Sequence, residues 1–344
     1  MRQRIEEVVI DLDLPRVDRW NPLIPYRNIA QRLFNDFAGQ VGYQPNDLIH
    51  LDSVKKYAEN NLPKWFVDAS VTVGQILHMP MEQVILGNLY YDILQVNMGS
   101  GGFACSAAAI SAEDGTVFHA RNLDWCSSGN LLAEASIVLD YRRGGKTVYK
   151  VVGWPGYLGA LSGMAPGKFS ITLNSVHSGD TGTMRDTSIS LLIKEVLENA
   201  VDFKEAVSIL KRRRLMADCL LLVTGVDPSE RIVIERTPVR SMTRTTNHES
   251  LPVVVTNDYQ AFRGSTPAED EDDERFADIY GTACCRFQRL SDLSQRDQNP
   301  TEATCLEHIS DRSVMMCITA QQMVFNPARG TCVAYKVMGQ GDHK

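Results

Sequence analysis

The chain has 344 residues, 44% hydrophobic and 22% charged, an ordinary globular composition that excludes a disordered polypeptide. No apolar run reaches the roughly 18 to 20 residues of a bilayer-spanning helix. With 35 basic and 42 acidic residues the net charge is −7, without the basic footprint of a nucleic-acid binder, so a small or neutral partner is expected.

The amino terminus, Met-Arg-Gln-Arg-Ile-Glu-Glu, has no apolar core of a secretory leader. The expectation is a cytoplasmic protein, lysosomal or secreted only if a leader has been removed. Residues 27–97 carry apolar residues at helical spacing, clearest where Val84, Ile85, Leu89, Leu94 and Val96 fall near one stripe. The chain up to about residue 97 therefore reads as mostly helical. Asn97-Met-Gly-Ser-Gly-Gly-Phe103 then breaks the pattern as an exposed connection would.

From residue 104 the texture changes to short β-type runs. They are Ala104–Ser111, Thr116–Ala120, Ala135–Leu139, Thr147–Val152, Phe169–Leu173, Cys219–Thr224, Ile232–Glu235, Val253–Thr256, Met315–Thr319 and Cys332–Val337. Two helical stretches, Thr187–Asn199 and Phe203–Arg212, sit between the fifth and sixth runs. Strands that follow one another directly, with helices grouped between them, predict an antiparallel α+β layer fold. Glu269–Glu274 is a block of acids that reads as a solvated loop, followed by Arg275.

All eight cysteines lie at or beyond residue 105. They are too sparse for a disulfide scaffold and include no Cys-x-x-Cys pair, so neither a metal nor a cofactor is expected. Cys219, Cys317 and Cys332 read as small buried hydrophobes. Cys105 differs through its context. Asp114-Gly115 between two β-like runs predicts a two-residue hairpin turn. Pairing Glu113 with Thr116 then sets Cys105 opposite Asp124 and Ala108 opposite Arg121. A thiol at the start of a strand, with a carboxylate opposite and a guanidinium nearby, is a candidate nucleophile. In this register Arg121 lies on the other face from Cys105, and a bulge or the strand end must re-aim it.

Cys105 beginning a strand, a return strand ending in His-Ala-Arg-Asn-Leu-Asp-Trp125, Thr256-Asn-Asp258 and the acidic run ending at Arg275 together resemble the acid ceramidase and N-acylethanolamine acid amidase family. That family belongs to the N-terminal nucleophile hydrolases, in the branch that includes choloylglycine hydrolases. Leu77–Tyr91 resembles the last helix before the family's nucleophile, and Gly156-Tyr-Leu-Gly159, Gly163 and Lys168-Phe169 resemble its following strands. The chain departs from the family in having Ser106 and Ala107 after the nucleophile in place of Thr and Ser. Its interval from Asn257 to Arg275 is also longer.

The resemblance implies a four-layer αββα sandwich of antiparallel sheets (residues 105–344), preceded by a helical segment (residues 1–104). It implies self-cleavage between Ala104 and Cys105, which makes Cys105 an N-terminal residue supplying both the thiol and its base, the α-amine. Arg121 would then favour the thiolate, Asp124 hold the α-amine, and Asn257 donate to the oxyanion with Arg275 in support. Asn174, Trp125, Trp154 and Tyr157 are expected at the substrate pocket. The implied substrate is a lipid amide, N-acylethanolamine or ceramide-like, a class compatible with a membrane surface or micelle. The two fragments would stay together as a heterodimer by packing alone, since residues 1–104 hold no cysteine. A choloylglycine or penicillin-type amide hydrolase, an acyltransferase and a non-catalytic lipid-binding homologue are the alternatives. His119 is expected to be a packing residue.

Overall fold

The computed structural model describes residues 2–42, 48–98, 103–262 and 281–338. Two short strands open it, β1 (Arg2–Arg4) and β2 (Glu7–Asp11), ahead of a 3-10 turn at Asn21–Tyr26. The helices α1 (Arg27–Gln40), α2 (Leu48–Asn61), α3 (Lys64–Leu77), α4 (Met81–Asn88) and α5 (Tyr90–Met98) follow. In α3 the buried Phe66, Ser70, Val73, Gly74 and Leu77 recur at helical spacing, and the helix stops where His78 enters the left-handed region at φ 55°.

Next come β3 (Phe103–Ser111), β4 (Val117–Trp125), α6 (Leu131–Ala135), β5 (Ile137–Arg143), β6 (Lys146–Gly153), β7 (Ser162–Ala165) and β8 (Phe169–Asn174). The chain continues through α7 (Ile189–Asn199), α8 (Phe203–Arg212), β9 (Cys219–Thr224), β10 (Arg231–Arg236), β11 (Ser241–Arg244) and β12 (Val253–Val255). It ends with α9 (Ala283–Arg296), α10 (Glu302–Ile309), β13 (Thr319–Asn326) and β14 (Thr331–Val337).

The first sheet has the order β1-β14-β13-β4-β3-β12, and the second β11-β10-β9-β8-β7-β6-β5-β2. Among the described strands all pairs are antiparallel except β2 with β5. Alternation along β3 builds both faces of its sheet. Ala107 and Ala109 face Leu220 and Leu222 of the second sheet, whereas Ala108 and Ile110 lie with Leu290 of α9 and Ile309 of α10. On the far side α7 rests close on β7, where a side chain added at Gly163 would meet Leu197 at 2.5 Å. The layers are thus helix, sheet, sheet, helix, as expected.

Residues 2–11 differ from the helical reading of the early chain, since β1 and β2 edge one sheet each. The last predicted strand but one, Met315–Thr319, is displaced: residues 316–319 form a turn closed by Thr319 N to Met316 O at 3.1 Å, and β13 follows. The connection at 99–102 and the acidic block at 269–274 lie outside the described residues. No described helix is long and apolar enough to cross a membrane.

Candidate active site

The site is built on the β3–β4 hairpin, and its register corrects the sequence reading by one residue. Cys105 pairs with Leu123, Ala107 with Arg121 and Ala104 with Asp124. The loop holds three residues, Glu113, Asp114 and Gly115, between Ala112 and Thr116; Ala112 N donates to Thr116 O at 2.8 Å, and Gly115 N to Ala112 O at 3.0 Å. Gly115 takes φ 81°, the left-handed position that ends such a loop. A one-residue shift exchanges faces. Arg121 therefore lies on the same inner face as Cys105, and no re-aiming bulge is required.

Arg121 is fully buried and donates from Nη2 to Cys105 Sγ at 3.0 Å. Its Nη1 donates to Leu161 O at 2.6 Å and to Ser162 Oγ, and Nη2 also reaches Leu173 O. Carbonyls of β8 and of the chain entering β7 thus aim a cation at the sulfur, where it stabilises developing negative charge. His119, two residues earlier on the same face, is a packing residue as expected. Its Nδ1 and Nε2 lie 2.8 Å from Ser170 Oγ and 2.8 Å from Thr172 Oγ1. Burial, with the charge of Arg121, pushes its pKa down to about 3, so the ring is neutral.

The backbone of Cys105 is held separately. Cys105 N donates to Asn257 Oδ1 at 3.1 Å, just past the end of β12, and Asn257 Nδ2 donates to Ser175 O at 2.7 Å. Asn174 positions that segment: its Nδ2 donates to Val255 O at 3.2 Å and Thr256 O at 2.9 Å. Asp124 lies on the outer face, opposite Ala104, where Thr319 Oγ1 donates to its Oδ1 at 2.5 Å. Burial raises its pKa, against the opposing pull of Arg286, Thr319 and Arg121. The Ala104–Cys105 peptide thus has a cation and sulfur on one face and a carboxyl group on the other.

The chain is 27% identical to the acid ceramidases of Balaenoptera acutorostrata scammoni and Bos taurus, over 259 residues that make 68% of this chain and 64% of each relative. It is 26% identical to that of Homo sapiens over 253 residues, 66% of this chain and 62% of the relative. The chain is similar to acid ceramidases over about two thirds of its length. It spans less than two thirds of the length of these relatives, and no family model matches it. Among solved structures, the Caenorhabditis elegans N-acylethanolamine-hydrolyzing acid amidase ortholog is similar with a TM-score of 0.56 at 22% identity, covering 68% of this chain and all of that one. The chain shares the α+β sandwich fold of that structure.

Arg275 lies outside the described residues. Among the described residues a second guanidinium reaches the site, that of Arg286 of α9, which sequence reasoning missed. Arg286 Nη2 donates to Asn257 Oδ1 at 2.8 Å, and Nη1 to Cys105 O at 2.8 Å and Ser106 Oγ at 2.9 Å. Its burial lowers its pKa, opposed by Asp124 and Cys105. A signal existed: Ala283, Arg286, Leu290 and Ser294 form the buried stripe of α9, so this arginine occupies a core position on an amphipathic helix.

Trp125, Trp154 and Tyr157 come together but are buried in this conformation. Trp125 lies 5.5 Å from Trp154, centroid to centroid, and Trp154 lies 4.3 Å from Tyr157. Phe37 of α1 and Tyr90 of α5 stack on Trp125, so the early helices cover the aromatic cluster. Beyond the end of β8, next to Asn174, lies a cavity of about 260 Å³ lined by Gln95, His177, Ser178 and Asp218 among others. It adjoins the site through Ser175, whose Oγ accepts from Gln95 and whose carbonyl accepts from Asn257.

Proposed function

We propose that the chain is a cysteine amidohydrolase that cuts its own Ala104–Cys105 bond and then hydrolyses a lipid amide, an N-acylethanolamine or ceramide-like molecule. The observation that carries this reading is the placement of Cys105 Sγ on Arg121 while Asn257 holds the nitrogen of the same residue. In self-cleavage the sulfur attacks the carbonyl carbon of Ala104, the carbon–nitrogen bond breaks, and the thiol proton passes to the departing nitrogen, with Asp124 facing Ala104. Water then releases the thioester.

The freed α-amine of Cys105 takes the thiol proton in each later turnover, directly or through a water. The thiolate attacks the amide carbonyl of the substrate, and Asn257 Nδ2, turned from Ser175 O, donates to the oxyanion. Removing one such donor costs other enzymes about 10²- to 10³-fold in rate. The amine leaves, and water hydrolyses the acyl thioester. The acyl chain takes the aromatic cluster of Trp125, Trp154 and Tyr157 once the early helices yield, and the polar cavity by His177 and Asp218 is the place for the amine. A lipid substrate brings the protein to a membrane surface or micelle, with both fragments associated.

The test is fatty-acid release from N-acylethanolamine, ceramide and bile-salt conjugates by wild type and Cys105→Ala. Release from either lipid amide by wild type alone supports the reading. Release from bile-salt conjugates alone moves the substrate to the choloylglycine type. A chain that never splits and releases nothing is a lipid-binding homologue.

A further inference from the structure

A cavity of about 350 Å³ lies beneath α7, lined by Tyr141 of β5 and Tyr149 of β6. These tyrosines are paired, and alternation sets them on the same sheet face as Val151 and Gly163, the face that meets Leu197 of α7. Arg121 enters the opposite face, at Ser162. A sheet thus separates the cavity from Cys105. Its walls are largely aromatic: Trp20 meets Tyr141 edge to face at 6.3 Å, Tyr141 stacks on Tyr149 at 4.3 Å, and Lys194 Nζ sits 4.1 Å from the centroid of Trp65. Most charges in the wall are already paired, Arg16 with Asp68 at 2.8 Å, Lys194 with Glu198 at 2.5 Å and Glu195 with Arg213 at 3.1 Å. Arg19 differs. Among the described residues it meets no carboxylate; its Nη2 donates to Leu12 O at 2.7 Å and Leu14 O at 3.1 Å, and its buried Nε has no partner. Tyr149 Oη is also buried without a partner. Burial first, then Tyr141 and Glu198, raise the pKa of that phenol against the charge of Arg19, so it remains a donor.

We propose that this cavity is a second binding site, for an amphiphilic monocarboxylate whose carboxylate takes Arg19 and Tyr149 and whose hydrocarbon tail lies against Trp20, Trp65 and Tyr141. Two unused donors and one uncompensated cation call for an acceptor that carries negative charge, and a buried donor left unmade costs free energy that such an acceptor recovers. An ammonium ligand would meet the same cation and no unpaired carboxylate in the wall. The volume stands near the lower end of small-molecule sites, about 300–1,000 Å³, and suits one hydrocarbon chain rather than a two-chain lipid. The site does not depend on the amide chemistry at Cys105.

The experiment titrates the folded full chain with sodium octanoate, below the concentration at which it forms micelles, by isothermal calorimetry, with octylamine as the control. Saturable binding of octanoate, tighter than that of octylamine, is expected. Tyr149→Phe removes only the unpartnered hydroxyl, so it should keep or raise the wild-type Tm while weakening octanoate about tenfold. Arg19→Met should weaken it at least as much. Absence of octanoate binding overturns the proposal, and so does octylamine binding equally well. Unchanged octanoate affinity in folded Tyr149→Phe would put the acid elsewhere, such as the aromatic cluster by Trp125, and overturns it too.

Discussion

Arg286 ties together three atoms that the chemistry needs in register: the carbonyl of Cys105, the hydroxyl of Ser106 and the Oδ1 of Asn257. Charge-assisted hydrogen bonds contribute about 1.5–3 kcal/mol each, and the loss of one partner leaves the others buried and unpaired. Arg286→Met should therefore destabilise the fold by about 3 kcal/mol and slow appearance of the cut chain at least tenfold. Arg286→Lys, a compact cation without the fork, should recover stability more than cleavage. Thermal melts and a time course of intact mass check this, and an unaltered cleavage rate in Arg286→Met contradicts it. Asp92 makes a second residue-level prediction. It lies on α5, accepts from Ser188 Oγ at 2.6 Å at the head of α7, and burial pushes its pKa up to about 7. In the unfolded chain its pKa is about 3.9. Between those values the native state keeps a proton that the unfolded state has lost, so this group's contribution to stability falls as pH rises through the window. His119 has the opposite sign, contributing fully above about pH 6.5 and less as pH falls toward its native value. Relative to wild type, Asp92→Asn should thus have a more favourable Tm at pH 7 than at pH 4, and an equal difference at both would refute the assignment. That Cys105, Arg121 and Asn257 are neighbours was legible because their order along the chain resembles that of the acid ceramidase and N-acylethanolamine acid amidase family. Arg286 was not, because the acidic segment before it hides its spacing from Asn257.

The β3–β4 hairpin shows how much an element's chemistry depends on its turn. Asp114-Gly115 announced a turn correctly, yet a two-residue and a three-residue loop share that dipeptide, and the choice shifts every partner by one. The longer loop puts the guanidinium beside the thiol. Gly115 at φ 81° has open space around it, so only backbone conformation opposes a side chain there. Gly115→Val should cost about 1–2 kcal/mol, with Gly115→Asn costing less than half as much. Denaturant melts measure both, and equal stabilities would mean that the loop is not of this type. Strand β13 was misplaced for a different reason. It is buried yet carries Gln321, Gln322 and Asn326, whose amides need partners to be tolerated. Gln322 Nε2 donates to Asn122 Oδ1 at 3.0 Å, and Gln321 Nε2 to Ser136 Oγ at 2.7 Å. No hydrophobic alternation marks such a strand, whereas β9, six buried residues from Cys219 to Thr224, was read to the residue.

At the scale of the whole molecule, the early chain is woven into both sheets: β1 edges the first beside β14, and β2 runs parallel to β5 in the second. These strands were invisible because Arg2–Arg4 is exposed throughout and Glu7–Asp11 is short. Their pairing, with Phe37 and Tyr90 stacked on Trp125, gives the residues before and after the Ala104–Cys105 bond a shared core. After cleavage they should elute as one species under reducing conditions and separate only in denaturant. The proposed chemistry turns on the sulfur of residue 105 opening its own amide bond. Intact-mass analysis of wild type and Cys105→Ala, incubated side by side across pH, tests it most directly. Wild type should give two fragments that meet between Ala104 and Cys105 while the variant stays whole; a variant that splits at the same bond would rule the thiol out as the nucleophile.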